Sequence, residues 1–212
     1  MNHRSPSRKK TGERTERALY DAATELFATQ GYAATTLSDI AEKCGIHKST
    51  IFHYVRTKQD LLAEILDRGL RHYLKRLEAI VQDAELSYTE RLEAALRNHL
   101  RFVFDQRQEL TVFLRERKHL AGPRGTAYLE MARSYEARFR EIVKRGMDSG
   151  EFAAADPHLS TLVLLGAANW MVEWHRPDGR LDQAEITEQY VNMLVHRMIA
   201  GSPEATSPSE TS

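Results

Sequence analysis

Residues 31–58 read GYAATTLSDIAEKCGIHKSTIFHYVRTK, and the reading of this stretch decides the fold. Leu37, Ile40, Ala41 and Cys44 recur at i, i+3, i+4 and i+7, the spacing of one buried helical face. Thr36 stands at the N-cap position with Asp39 three residues on, a shortened capping box that also sets a carboxylate at the positive helix end. Gly45 can take positive φ without a Cβ penalty and so ends this helix, and Ile46 buries the turn before a second helix begins near His47. Along His47 to Tyr54, Ile51 and Val55 point to the core, while Lys48, Ser49, Thr50, Phe52, His53 and Tyr54 take the outer side and flanks. That outer face suits DNA. Lysine contacts guanine or phosphate, hydroxyls pair with bases or backbone, and aromatic edges meet thymine methyls or sugars. A helix pair used only for packing has no need of so polar and aromatic a surface, so the pattern predicts a helix-turn-helix that reads DNA.

The flanks extend the pattern. Upstream, Thr15 to Gly31 sets Leu19, Ala22, Ala23, Leu26 and Phe27 on one face, closed by Gly31 as a C-terminal cap. Downstream come Tyr54, Lys58 and the pair Leu61-Leu62. The string from Ala22 through Leu26-Phe27, Gly31-Tyr32, Thr35-Thr36-Leu37, Ile40-Ala41, Gly45-Ile46, Thr50-Ile51-Phe52, Tyr54-Val55 and Lys58 to Leu61-Leu62 resembles, without a gap, the N-terminal domain of TetR-family transcriptional regulators. Phe52 stands where that family usually has tyrosine and Val55 where it often has phenylalanine; the lost phenolic hydroxyl removes one phosphate contact. The resemblance implies that Thr36 and the start of its helix anchor a phosphate. It further implies that Lys48, Ser49, Thr50, Phe52, His53 and Tyr54 form the recognition surface, and that Lys58 grips the backbone just beyond. Arg4, Arg8, Lys9, Lys10, Arg14 and Arg17 form a basic arm placed to follow a groove or phosphates, in a salt-sensitive and sequence-independent way.

A formal net charge of zero hides an asymmetry. Residues 1–60 carry ten Lys+Arg against seven Asp+Glu, and residues 61–212 carry twenty against twenty-three, so the positive end is the DNA-reading end. No apolar run reaches the length of a bilayer span and the first dozen residues are too polar for a secretory signal, which predicts a soluble, cytoplasmic protein with no membrane partner. Cys44, the single cysteine, cannot form an internal disulfide and falls on the expected buried face.

Beyond Lys58 the chain reads as helix almost throughout. The expected segments run from Asp60 to about Ala84, from a Ser87 cap with Glu90 at its box position, from Glu109 to Arg117, and from Ala127 to about Ser149 after a break at Ala121–Gly125. Asp156-Pro157 opens a helix to about His175, and Asp182 caps the last. The expected architecture is all-α, about nine helices: a three-helix helix-turn-helix domain over 13–60 and a helical ligand-binding and dimerisation domain over 61–200. A disordered basic arm (1–12) and a disordered tail (201–212) complete it. The long helix from Asp60 begins inside the DNA domain and enters the next, which makes it the natural lever.

Gly166, Ala167 and Ala168 beside Leu162, Val163 and Leu165 allow close helix approach, and pairing with the final helix would form half of an intermolecular four-helix bundle, as in TetR-like homodimers. A dimer also matches a palindromic operator, whose half-sites lie roughly 34 Å apart. Trp170 and Trp174 are four apart, with Arg176 and Arg180 just beyond. This segment resembles the C-terminal domains of a TetR subgroup controlling fatty-acid and steroid-ring catabolism, whose members respond to acyl-coenzyme A thioesters. The resemblance implies a small hydrophobic effector, no resident cofactor, and ligand contacts from Trp170, Trp174 and Arg176. Arg115, with Arg117 and Lys118, is a second anion candidate.

Other classes are weighed on the same residues. No G-x-S-x-G, H-E-x-x-H, P-loop or dinucleotide fingerprint occurs, so no enzyme is indicated, and the nine histidines are scattered rather than set at metal-ligand spacing. A metal-sensing regulator, a regulator of efflux or stress genes sensing a drug-like ligand, and a non-specific architectural DNA-binding protein remain the alternatives.

Overall fold

The computed structural model describes residues 6–196, with side chains from Gly12 onward. Among the described residues there are ten α-helical segments, a 3-10 turn, a π-helical turn and no strand. The helices are α1 (Pro6–Gln30), α2 (Leu37–Lys43), α3 (Lys48–Ile51), α4 (Lys58–Gln82), α5 (Tyr88–Asp105), α6 (Arg107–Glu116), α7 (Gly122–Asp148), α8 (Pro157–Asn169), α9 (Met171–Trp174) and α10 (Gln183–Val191). The 3-10 turn is Arg117–His119 and the π-helical turn Asn192–His196. Of the expected arm and tail, residues 1–5 and those beyond His196 lie outside the described residues, as do the side chains of Arg8, Lys9 and Lys10, while residues 6–12, expected to be disordered, are the first turns of α1.

Two compact units are present, each discontinuous in sequence. The first comprises the chain up to His72 together with Gln106–Arg133; the second comprises Tyr73–Asp105 and the residues from Ser134 on. Helices α4 and α7 therefore contribute to both.

In the first unit, α1 buries Leu19, Tyr20, Ala23, Leu26 and Phe27, and α4 buries Leu61, Leu62, Ile65 and Leu66. Ile40, Ala41, Ile51 and Val55 are also buried there, which is why two very short helices persist. In the second unit, Leu92, Leu96 and Leu100 of α5 share a core with Phe139 and Val143 of α7, Leu164 and Ala168 of α8, and Ile186 and Val191 of α10. Local signals set the helix starts: Ser87 and Glu90 exchange hydrogen bonds across the first turn of α5, and Asp182 and Glu185 form a full capping box at α10. Asp156 caps α8, its carboxylate accepting from Leu159 N–H at 2.6 Å, with Pro157 in the first turn.

Four expectations are corrected. The second motif helix does not reach Tyr54: α3 ends at Ile51, and residues 52–54 continue as tighter turns, His53 N–H bonding Thr50 and Tyr54 N–H bonding Ile51. The β-branched Thr50, Ile51 and Val55 resist further α-helix. The break at Ala121–Gly125 shrinks to Leu120–Ala121, because Pro123 is tolerated in the first turn of α7 and Gly125 has no side chain to clash with Leu120, whose backbone carbon lies 2.9 Å from where a Cβ would stand. The helix from Pro157 is divided at Trp170, where Glu173 N–H bonds the Trp170 carbonyl at i−3 and restarts the turn, so that one expected helix becomes α8 and α9. Cys44 is half-buried at the C-cap of α2, its Sγ 3.5 Å from the Ala18 carbonyl, and burial raises its thiol pKa.

Gly146 lies inside α7, and a Cβ there would meet the buried Phe152 ring at 2.1 Å. Helix propensity alone makes Gly→Ala favourable by up to ~1 kcal/mol. The overlap reverses the sign: Gly146→Ala is expected to destabilise the protein by about 1–3 kcal/mol in urea unfolding.

Candidate nucleic-acid interface and effector region

The motif frame is built from reciprocal local bonds. Asp39 N–H donates to the Thr36 hydroxyl at 3.2 Å and Thr36 N–H donates to the Asp39 carboxylate at 2.8 Å, which holds that carboxyl below its ordinary pKa. Gly45 turns the chain at φ +64°, the left-handed region open to glycine. His47 then caps α3, its Nδ1 accepting from Ser49 N–H at 3.3 Å and lying 2.7 Å from the Ser49 hydroxyl. An imidazole cap requires a neutral Nδ1, and sequence reading missed it because Ser, Thr, Asp and Asn are the usual signals.

With Ile51 and Val55 buried, the remaining residues of the segment face outward. Lys48, Ser49, His53 and Phe52 are exposed, Phe52 by 52 %, and Thr50 and Tyr54 are half-exposed. Thr36 is exposed at the cap. The six outward residues between Lys48 and Tyr54 are polar or aromatic, the types that contact base edges and phosphates.

Lys58 is placed differently from the rest. Its ammonium donates to the carbonyls of Tyr32 and Thr35, each at 2.7 Å, and sits 4.2 Å above the Tyr32 ring. Two of its three donors therefore close the α1–α2 connection, leaving one for a phosphate. Tyr32 also packs on Phe27 and stacks on His119 at 4.8 Å, so the corner is held from several sides within this unit.

In the second unit, Trp174 and Arg176 line a depression of 240 Å³ with Gly179, Arg180, Leu181 and Ile186. Trp170 is not part of it. At 65 % exposure it stands on the outer side of α8, in line with exposed Leu159, Leu162 and Val163 and with Gly166. Both tryptophans are thus outside the core. Arg115 is exposed in the last turn of α6, in the first unit. Unforeseen in the sequence is a polar triad of buried His99 and Tyr135 with half-buried Asn169: His99 Nδ1 lies 3.2 Å from the Tyr135 hydroxyl and Nε2 lies 3.2 Å from Asn169 Oδ1. A neutral ring satisfies both if Nε2–H donates to Asn169 and Nδ1 accepts from Tyr135. Burial lowers the His99 pKa from 6.5 to about 4 against the opposing bond to Asn169.

Comparison with known proteins identifies the family. The pattern of the "Bacterial regulatory proteins, tetR family" matches residues 19–65, and that of the "Tetracyclin repressor-like, C-terminal domain" matches residues 85–198. The chain belongs to the TetR family of DNA-binding transcriptional regulators and is not an enzyme. It is 28% identical over 188 residues to the HTH-type transcriptional repressor KstR2 of Rhodococcus jostii, covering 88% of this chain and 91% of that protein. The structure of AibR in complex with isovaleryl coenzyme A and operator DNA is 27% identical, with a TM-score of 0.76 over 85% of this chain and 98% of that one. A TetR/AcrR-family regulator from Thermobifida fusca is 33% identical, with a TM-score of 0.65 over 85% and 96%. No helix among the described residues is long and apolar enough to cross a membrane.

Two predictions follow from these contacts. Lys58→Met is expected to destabilise the DNA-free protein by about 2–3 kcal/mol, since two carbonyls lose a charged donor; a residue serving DNA alone would leave the melting temperature unchanged. For His99, the folded ring resists a proton that the unfolded chain takes up near pH 6.5, so its stabilising effect is complete above that pH and is lost as pH falls towards 4. Between these values the wild type should lose about 3 kcal/mol more than His99→Gln, measured by urea unfolding at each pH.

Proposed function

We propose that this chain is a homodimeric repressor that holds a palindromic operator and leaves it when a hydrophobic effector, an acyl-coenzyme A thioester, binds. The observation that carries the DNA half of this reading is the outward surface Lys48–Tyr54 standing on a buried frame of Ile40, Ala41, Ile51 and Val55. Thr36, Lys48, Ser49, Thr50, Phe52, His53 and Tyr54 make the contacts, with Lys58 adding one phosphate bond to its structural role. The relatives support the two ligand classes and not the release step: one is named a repressor, and another was crystallised with operator DNA and isovaleryl coenzyme A together.

Dimerisation uses α8 and the final helix. Leu159, Leu162, Val163 and Trp170 form an exposed apolar stripe, Met193 is likewise exposed, and nothing lies near the open face of Gly166. A second copy covering the same stripe removes it from water through a two-fold contact. For the effector, the depression at Trp174 and Arg176 offers an apolar ring beside two guanidinium groups, a pairing that suits an acyl chain joined to phosphates. Trp170, on the exposed stripe, and Arg115, in the first unit, do not line that depression and are left out of the proposed ligand set. Helix α4 has residues in both units and is the lever that this reading assigns to the coupling of effector and operator. A coupling of about 1–3 kcal/mol changes operator affinity 5- to 150-fold.

The test is fluorescence anisotropy of the DNA flanking this protein's own gene, titrated with full-length protein and then challenged with a long-chain acyl-coenzyme A or its free acid. Release by the thioester alone is expected, with Trp174→Ala and Arg176→Ala needing more thioester for the same release. Tight binding that neither compound disturbs would discard the acyl-coenzyme A reading in favour of another apolar effector. Equal affinity for unrelated duplexes at matched salt would discard the operator-specific reading altogether.

A further inference from the structure

The first unit contains a groove of 570 Å³ whose walls come from distant parts of the sequence. Phe52, His53, Arg56 and Asp60 form one side, and Pro123 and Arg124 at the start of α7 form the other. Nothing in the helix-turn-helix pattern anticipates a role for α7 beside the DNA-reading segment.

The charges in this groove are arranged, not merely present. Arg124 Nη1 lies 2.8 Å from Glu64 Oε2, and Glu64 also receives Arg68, which pairs with Glu16 at 2.7 Å and rests 3.9 Å from the centre of the Tyr20 ring. This chain of alternating charges links α1, α4 and α7 and holds the Arg124 guanidinium at the groove while its side chain stays 57 % exposed. Exposed Arg56 has no ion-pair partner among the described residues. The one carboxylate on the wall, Asp60, is occupied by the Thr57 hydroxyl at 2.8 Å. Two guanidinium groups and an imidazole therefore face a groove with a single, engaged acid.

We propose that this groove receives the sugar–phosphate backbone of the duplex whose bases meet α3, with Arg56 and Arg124 as phosphate ligands and Glu64 as the residue that positions Arg124. The assignment rests on the reading of residues 48–54 as the DNA face. Phe52, His53 and Tyr54 belong to both surfaces, so a strand lying against the outer side of α3 continues directly into the groove. Base contacts are ordinarily flanked by phosphate contacts that set register, and arginine forks match phosphate oxygens in pairs. The exposed Phe52 ring supplies an apolar wall for deoxyribose.

The experiment follows operator affinity against salt for the full-length protein, using a duplex that the wild type itself selects from a randomised pool. Each neutralised phosphate contributes about 0.9 to the slope of log K against log salt. Arg124→Ala and Arg56→Ala are each expected to lower that slope by about 0.9, which removes roughly a 3.5-fold share of the affinity lost between about 50 and 200 mM salt. Arg124→Lys should keep the slope, and Glu64→Gln should keep it while weakening binding at every salt concentration. Melting temperatures should barely move, because an exposed pair contributes little to stability. Wild-type slopes in both alanine variants, with selected-duplex binding intact, would overturn the groove assignment and leave the DNA face standing. Failure of the wild type to enrich any duplex would overturn both. A third arm titrates coenzyme A alone: if Arg124→Ala weakens its binding without changing the salt slope, the groove is a nucleotide site and the DNA assignment is wrong. Arg56→Ala, which breaks no ion pair, keeps the test decisive should Arg124→Ala fail to fold.

Discussion

Helices of seven and four residues do not hold their shape in water, because nucleation costs more than so few backbone bonds return, and isolated helices shorter than ~12–15 residues are marginal. The burial of Ile40, Ala41, Ile51 and Val55 is therefore the constraint on which the rest of the first unit depends. Once those four side chains are inside, the alternation of the sequence leaves Lys48, Ser49, Phe52 and His53 in solvent with no choice of face. The tightening of the chain after Ile51 follows from the same burial: Val55 N–H still reaches the Ile51 carbonyl at 3.1 Å, so the residues between them are held although they are not α-helical. The outward surface is thus presented by a short helix and an ordered turn together.

The corner at Tyr32 shows how one lysine can serve two ends. Its ammonium donates to two backbone carbonyls and lies over the Tyr32 ring, and the ring in turn stacks on His119 from the 3-10 turn. Gly31, at φ +86°, permits the chain to leave α1 there, and a Cβ at that position would stand 3.2 Å from Glu116 Oε1. Backbone, cation and aromatic contacts hence converge within a few residues of the outward-facing segment.

The second unit is organised around an unusual interior. Most of its core is aliphatic and aromatic, yet His99, Tyr135 and Asn169 are joined by hydrogen bonds in its midst and Asn98 donates to the Tyr73 carbonyl at 3.0 Å. Buried polar groups that find partners specify one arrangement of the helices that carry them. Here they fix α5, α7 and the end of α8, just before the chain restarts at Trp170.

Much of this was written locally. Capping at Thr36, Ser87, Asp156 and Asp182 was legible because each cap is a contact between residues three apart, and the glycine turn at Gly45 was legible because only its own backbone has to accommodate positive φ. The helical periodicity that placed Ile40, Ala41 and Ile51 inside is equally a property of short stretches. The sequence by itself therefore determined the all-α class, the helix-turn-helix and the face that it turns outward. Tertiary structure alone decided that Lys58 spends two donors on Tyr32 and Thr35, that Trp170 and Trp174 stand apart, that α7 begins five residues early over Leu120, and that Arg124 comes beside Arg56. Those are contacts between residues 23 to about 70 positions apart, or the outcome of competition among them, and no periodicity within one helix carries information about which distant helix will lie against it.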